Sequence, residues 1–165
     1  QPKLKLVMVG DGPLRESLQK DCLQAVFTGF LSEAELAEHY ASADVFVFPS
    51  TTETFGNVSL EAMASGLPVV AFDDAAARFL IRHGESGMLA TVGDVAAFEA
   101  HVVKLVNDAK LRANLAQRAR EAAMLKSWDM IFAQVEQVLR QSMRDDTDPL
   151  NAKAPRAYPG RYEAV

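Results

Sequence analysis

The sequence predicts an α/β fold of the Rossmann-like class, a doubly wound parallel sheet with helices on both faces. Short β-branched and aromatic runs alternate with amphipathic segments, which is typical of βαβ units. The run Val45–Phe48 is continuously apolar, as expected of a strand that is buried on both faces. Polar motifs follow the predicted strands, at the edge where sheets of this class bind ligands.

Composition narrows the function classes. The chain has 165 residues, of which 49% are hydrophobic and 24% charged, enough for one domain with a core. A net charge of −5 argues against a nucleic-acid partner. Cys22 is the single cysteine and no signal-peptide pattern is visible, so we expect a cytoplasmic protein. Because Gln1 leads into a strand without an initiator Met, we also expect a fragment of a longer chain.

The first predicted unit is a strand over Leu4–Val9, a turn at Gly10-Asp-Gly-Pro13 and a helix from Leu14 to about Lys20. A dinucleotide-binding fingerprint is excluded, because Arg15 occupies the place of its third glycine. A plain tight turn and a turn that contacts a nucleotide both stay open for this segment.

A second strand, Ala25–Thr28, ends in the loop Gly29-Phe-Leu31. Ser32-x-x-Glu35 then predicts a capping box for a helix through Tyr40. After the third strand, Pro49 stops the apolar run, and a helix is predicted from about Gly56. Its apolar residues recur at i, i+3, i+4 and i+7, and they are Leu60, Met63, Ala64 and Leu67.

This third helix indicates a binding chemistry. The N–H groups around Gly56, Asn57 and Val58, with the helix dipole, suit a phosphate, and Gly56 would let a ligand approach the backbone closely. Glu61 points back toward the loop that carries Glu53, and an ionised carboxylate accepts hydrogen bonds from a vicinal diol. A pyrophosphate between two sugars meets these demands. For either glutamate alone, a solvated surface position is the alternative.

The pattern Glu53-x-Phe55-Gly56-x-x-x-x-Glu61, followed by Ala62-Met-Ala-Ser-Gly-Leu-Pro-Val-Val70, resembles the donor-site signature of retaining glycosyltransferases of family 4. These are group 1 enzymes with the GT-B fold, and the resemblance runs from about Leu4 to Leu139. It implies that the chain is the C-terminal, donor-binding half of such an enzyme. It also implies that Glu53 contacts donor-sugar hydroxyls at the catalytic centre, that Glu61 binds the ribose, and that the amides from Phe55 to Val58 face the distal phosphate.

The resemblance extends to the first two strand ends. It implies that Gly10 and Gly12 lie close to the nucleotide and that Arg15 is a phosphate partner. It places Phe30 and Leu31 near the base, largely through backbone groups. For the Phe30 side chain itself we favour the alternative, a buried aromatic.

After the strand Val69–Phe72 the sequence departs from the family pattern. Many relatives carry a glycine pair and a glutamate in a loop here, whereas this chain has Asp73-Asp-Ala-Ala-Ala-Arg78, which leaves the sugar open. This run and Ile81–Gly87 are similar to relatives that use GDP-mannose, which favours mannose. We assign His83 to a turn before the strand Met88–Ala90.

The remaining segments predict helices. Gly93-Asp94 caps a helix with one apolar stripe, and Leu111–Met124 is a second helix. A third runs from Ser127-Trp128 to about Arg140, and the resemblance implies that Trp128 is an anchor. We predict a domain over residues 1–143 and a disordered tail over 144–165, where composition changes and periodicity ends.

The resemblance implies transfer of a sugar from a nucleotide diphosphate sugar to a glycan or lipid acceptor, with retention and without metal or cofactor. The acceptor would bind a missing N-terminal domain, the full-length protein would associate peripherally with a membrane, and this fragment alone would be inactive. A sugar-nucleotide epimerase and a non-catalytic interaction domain on the same scaffold are the alternatives.

Overall fold

The computed structural model describes residues 4–51, 56–126 and 128–145. The chain divides into two compact units, Gln1–Leu125 and Lys126–Val165. The predicted domain 1–143 and the predicted tail 144–165 both stay predictions, since nearly all of the tail lies outside the described residues.

Strands and helices alternate through the first unit, as predicted. Its described strands are β1 (Val7–Val9), β2 (Val26–Gly29), β3 (Phe46–Phe48), β4 (Val69–Phe72) and β5 (Gly87–Ala90). Its described helices are α1 (Arg15–Asp21), α2 (Glu33–Ser42), α3 (Asn57–Ala64), α4 (Ala75–Leu80), α5 (Val95–Asn107) and α6 (Ala109–Met124). The second unit contains α7 (Trp128–Asp145), which extends beyond its predicted end near Arg140.

Every ladder between these strands is parallel, which confirms the predicted fold class. β1 pairs with β2, with Val7 opposite Val26, and β3, β4 and β5 form a second sheet in that order. The prediction had one sheet, whereas the described strands form two. In the first sheet the register shifts between Met8 and Val9, so that the pairing ends in a single bridge between Gly10 and Gly29.

The central strand β4 explains why helices cover both faces of the second sheet. All of its residues are buried, and successive side chains point to opposite faces. Val69 and Ala71 belong to a core cluster with residues of α3, α4 and α6, including Met63. Val70 and Phe72 belong to a second cluster, which contains residues of β5, α5 and α6. A continuous apolar strand is therefore required at β4. The run that we predicted to be buried on both faces, Val45–Phe48, is only half-buried, because β3 lies at the edge of the described sheet.

Local signals fix the starts of several helices. Ser32 and Glu35 form the predicted capping box of α2: the Glu35 carboxylate accepts from the Ser32 N–H at 2.8 Å, and the Ser32 hydroxyl accepts from the Glu35 N–H at 3.4 Å. Asp94 caps α5 as predicted, accepting from the Ala97 N–H at 2.9 Å. Within the described ranges, no helix is both long enough and apolar enough to cross a membrane.

Candidate functional site

The helix α3 begins at a position that only glycine can occupy without strain or overlap. Gly56 is its N-cap residue and has left-handed dihedrals, φ 71° and ψ 21°. A Cβ at this position would lie 2.6 Å from the Ala76 Cβ and 2.9 Å from the Leu80 Cδ1. The structure thus gives a packing reason for the glycine, because α4 fills the space that a side chain would need. Close approach of a ligand to the Gly56 backbone stays a prediction. Gly56 lets α4 pack against the start of α3.

The N-termini of α1 and α3 differ from those of α2, α4, α5 and α6, because no N-cap side chain accepts a hydrogen bond there. The N-cap side chains of α2, α4, α5 and α6, which are Ser32, Asp74, Asp94 and Asp108, each accept a hydrogen bond from a backbone N–H. Gly56 has no side chain that could do so. Asn57, the first residue of the helix, is exposed, and Val58 is half-buried. The predicted residues Gly56, Asn57 and Val58 are thus together at one helix start, whose dipole favours an anion.

Glu61 lies one turn into α3, and a tyrosine of α2 contacts its carboxylate. The Tyr40 hydroxyl is 3.3 Å from Glu61 Oε2 and 3.4 Å from the Val58 carbonyl oxygen. Glu61 is exposed, whereas Tyr40 is buried, with 8% of its surface accessible. The Glu61 carboxylate is therefore open to solvent, and its contact with the buried phenol restricts the rotamers that the side chain can adopt.

Tyr40 was missed by the reasoning from sequence, which used it only as the end of α2. Its burial, and then the negative charge and hydrogen bonding of Glu61, raise the pKa of the phenol to about 12. The group consequently keeps its proton in the neutral range and is a donor toward Glu61. A tyrosine at the end of an amphipathic helix gives no local sign of a partner 21 residues away.

The segment after β4, to which we assigned no secondary structure from the sequence, is the helix α4. Asp74 caps α4 by accepting from the Ala75 N–H at 2.8 Å, and Ala75 has φ 40°. Arg78 donates from Nε to Asp73 Oδ1 at 3.0 Å and from Nη2 to the Asp73 carbonyl oxygen at 2.7 Å. An aspartate followed by three alanines is an N-cap before good helix formers, so the signal was present in the sequence. This helix is the element that packs on Gly56.

The carboxyl ends of β1 and β2 bring together a second set of predicted residues. The Gly10 N–H donates to the Gly29 carbonyl oxygen at 2.9 Å, and the Gly12 N–H donates to Asp11 Oδ1 at 2.8 Å. Arg15 donates from Nη1 to Asp11 Oδ2 at 2.6 Å, and both bonds lower the pKa of the Asp11 carboxyl, with that from Arg15 the larger cause. An anion that binds Arg15 would thus share the guanidinium with Asp11.

Phe30 contradicts our expectation of a buried aromatic ring, because 84% of its surface is exposed. Gly29 precedes it with φ 73°, and a Cβ there would lie 3.0 Å from Arg15 Nη1, so the guanidinium is beside this turn. Leu31, the other residue that we placed near a base, is half-buried.

The predicted turn at His83 is confirmed. His83 Nδ1 accepts a hydrogen bond from the Leu89 N–H at 3.0 Å, and the Gly84 N–H donates to the Gly87 carbonyl oxygen at 2.8 Å. The imidazole therefore ties the turn to Leu89 within β5.

Two of the predicted site residues, Glu53 and Phe55, lie outside the described residues, and so does the side chain of Trp128. Over the described part of the chain, no three side chains of His, Cys, Asp or Glu are grouped as metal ligands.

Comparisons with known proteins identify the family of the chain. The sequence model of the family described as glycosyl transferases group 1 matches residues 1–108. The chain is 41% identical over 132 residues to sulfoquinovosyl transferase SQD2 of Arabidopsis thaliana, covering 77% of this chain and 26% of that protein. It is 42% identical over 147 residues to a GDP-mannose-dependent alpha-mannosyltransferase of Mycolicibacterium smegmatis, covering 86% of this chain and 38% of that protein. The chain thus spans between a quarter and two fifths of the length of these relatives.

Solved structures give the same result for the fold. Sucrose-phosphate synthase from Thermosynechococcus elongatus superposes with a TM-score of 0.73 at 29% identity, covering 84% of this chain and 38% of that one. HepE from Anabaena, solved in complex with UDP, also reaches 0.73, at 26% identity and with 86% of this chain and 42% of that one covered. The architecture is a Rossmann-like half of a GT-B glycosyltransferase. With its family match over residues 1–108 and these relatives, the chain belongs to the glycosyl transferases of group 1.

Proposed function

We propose that this chain is the donor-binding part of a retaining, metal-independent hexosyltransferase of family 4. The observation that carries the proposal is the start of α3. A helix whose N-cap is a left-handed glycine is followed, one turn on, by an exposed carboxylate beside the Tyr40 hydroxyl. This arrangement supplies donors for phosphate and an acceptor for ribose hydroxyls within one short segment.

The residues divide the work as follows. The backbone amides from Phe55 to Val58 receive the distal phosphate, and Glu61 accepts hydrogen bonds from the ribose. Glu53 contacts hydroxyls of the transferred sugar. The nucleotide lies beside the carboxyl ends of the first two strands, where the candidate residues are Gly10, Gly12, Arg15, Phe30 and Leu31. Catalysis then consists of orienting the donor and stabilising the departing phosphate as charge develops on it.

We further propose mannose as the sugar and GDP as its carrier. Three relatives that are 42%, 43% and 35% identical to this chain are named GDP-mannose-dependent alpha-mannosyltransferases. Other relatives have different substrates in their names, such as sulfoquinovosyl transferase, so the base and the sugar need a direct measurement. A glycan or lipid acceptor would be bound by another part of a longer, cytoplasmic protein that associates peripherally with a membrane.

A titration of the chain with GDP, UDP and ADP, followed by ligand-observed NMR, tests the proposal. Two or three charge-assisted hydrogen bonds, less the cost of immobilising the ligand, predict dissociation constants on the order of millimolar to tens of micromolar. We expect GDP to bind most tightly. Glu61→Ala should weaken it by about 10-fold or more, since an acceptor for ribose hydroxyls is lost.

A matched control is Glu121→Ala, which removes an exposed glutamate of α6 whose carboxylate accepts from the Gln117 amide at 2.9 Å. It should leave nucleotide affinity unchanged. Equal affinity of the Glu61→Ala and Glu121→Ala variants would contradict the proposal, as would no binding of any of the three nucleotides at millimolar concentration.

A further inference from the structure

The contact between Tyr40 and Glu61 assigns a role to a residue that the family signature in this sequence does not include. The two side chains come from different helices, α2 and α3, and the phenol oxygen is 3.3 Å from Glu61 Oε2. The same oxygen is 3.4 Å from the carbonyl of Val58, in the first turn of α3. One hydroxyl therefore contacts both the carboxylate and the helix start that the donor would use.

The phenol is in a fixed position before any ligand binds. Tyr40 is 8% exposed and belongs to the core cluster that contains Met63 of α3. Its ring packs edge-on against Phe46 of β3, with ring centroids 5.8 Å apart. A rotation of the phenol away from α3 would disrupt this packing. The hydroxyl is thus a rigid reference point for a neighbouring flexible side chain.

Glu61 has the opposite properties. It is exposed, and a glutamate on a helix surface samples many rotamers, most of which would point its carboxylate away from a given ligand. A hydrogen bond from a neutral donor to one carboxylate oxygen reduces that freedom. It leaves the second oxygen, and a remaining lone pair on the first, as acceptors for two adjacent hydroxyls.

We propose that Tyr40 is a positioning residue that pre-orients the Glu61 carboxylate toward the ribose of the donor nucleotide. This inference rests on the proposed function, because it assumes that Glu61 is the ribose acceptor. Pre-orientation raises affinity by lowering the entropy that is lost when the ligand binds. The effect of Tyr40 on affinity must therefore depend on the ribose hydroxyls. Loss of a merely structural residue would instead lower the affinity for every nucleotide alike.

The test compares GDP with 2′,3′-dideoxy-GDP on the wild-type chain and on Tyr40→Phe. The variant keeps the ring and its packing on Phe46 and removes only the hydroxyl. We expect GDP to bind about 3- to 10-fold more weakly and dideoxy-GDP to change by less than about 2-fold, as for loss of one hydrogen bond. Thermal unfolding of both proteins checks that the variant is folded.

Ser42→Ala is the matched control on the same helix. It removes a hydroxyl that donates to the Glu38 carbonyl oxygen at 2.6 Å and is not part of the contact with Glu61. It should change neither affinity. If Tyr40→Phe lowers the affinity for GDP and for dideoxy-GDP equally, or lowers neither, the positioning role is overturned while the proposed function stands. If the wild-type chain does not distinguish GDP from its dideoxy analogue, Glu61 is not a ribose acceptor, and both proposals fail.

A second measurement needs no substitution at Tyr40. The chain has three tyrosines, and changing Tyr158 and Tyr162 to Phe leaves Tyr40 as a single label. With ¹³Cζ-labelled tyrosine, GDP should shift the Tyr40 resonance and dideoxy-GDP should not, because only the former engages Glu61. Equal shifts with the two nucleotides would overturn the positioning role even if the Tyr40→Phe variant failed to fold.

Discussion

At the scale of single residues, Gly56 and Gly66 make a matched pair that separates backbone strain from packing. Both have left-handed φ values, 71° and 80°. A Cβ on Gly56 would meet Ala76 and Leu80 of α4, whereas a Cβ on Gly66 has no heavy atom within 4 Å. The same substitution should therefore have different effects at the two positions.

We predict that Gly66→Ala destabilises the chain by about 1 kcal/mol, the cost of a left-handed conformation for a residue with a Cβ. Gly56→Ala should destabilise it by about 2 to 4 kcal/mol, because overpacking against α4 is added to the same strain. Urea unfolding measures both values. Similar losses in the two variants would mean that α4 does not pack closely on the start of α3.

Residues differ in how far the sequence alone predicts them. Glu61 follows from its spacing in the helix and from the family signature, and it is exposed at the start of α3 as required. Tyr40 does not follow, because its partner lies on another helix and only the fold brings them together. The prediction of a buried Phe30 ring was wrong for a related reason. An aromatic residue after a strand suggests burial, yet the ring that follows the left-handed Gly29 is exposed.

At the scale of elements, α4 is a helix that our prediction from the sequence did not assign. The run Asp74-Ala-Ala-Ala was noted only as a departure from the family pattern, and the intrinsic preference of alanine for helices was not used. Four strands, in contrast, were predicted within one residue of their observed bounds, because continuous apolar runs leave few alternatives in a protein of this size. The first strand was predicted from Leu4, whereas β1 begins at Val7. That the strands form two sheets was not visible, since pairing depends on contacts between distant segments.

The start of α4 contains a strained backbone position. Ala75 is the one described residue other than glycine with a positive φ, at 40°. An L-residue is disfavoured there by about 1 kcal/mol, although glycine also loses more entropy on folding. We predict that Ala75→Gly is neutral or stabilises the chain by up to about 1 kcal/mol.

Ala113→Gly is the control for this substitution. Ala113 is exposed within α6, and glycine in a helix interior costs about 1 kcal/mol relative to alanine. The two changes should thus differ in sign when measured by the midpoint of urea unfolding. If Ala75→Gly lowered stability as much as Ala113→Gly, Ala75 would have ordinary helical dihedrals in solution.

At the scale of the whole molecule, the roles proposed for the candidate residues predict that the chain alone does not transfer a sugar. The residues assigned at the ends of β1 and β2 and at the start of α3 would all contact the donor. The relatives are much longer, with 26% and 38% of their lengths covered by this chain. In an enzyme of this kind, binding and orienting a donor is only half of the reaction, since transfer also needs an acceptor in a fixed position.

We therefore predict that the 165-residue chain binds GDP-mannose and forms no new glycosidic bond with a glycan or lipid acceptor. Incubation with radiolabelled GDP-mannose and mixed acceptors, followed by chromatography, measures the product. The mannosyltransferase of Mycolicibacterium smegmatis, at full length, serves as the positive control for the assay. Transfer by the chain alone, lost in Glu61→Ala, would mean that a donor site and enough of an acceptor site lie within these residues. Binding without transfer would agree with a donor half-site, because orientation of one substrate stabilises no transition state until the second is in place.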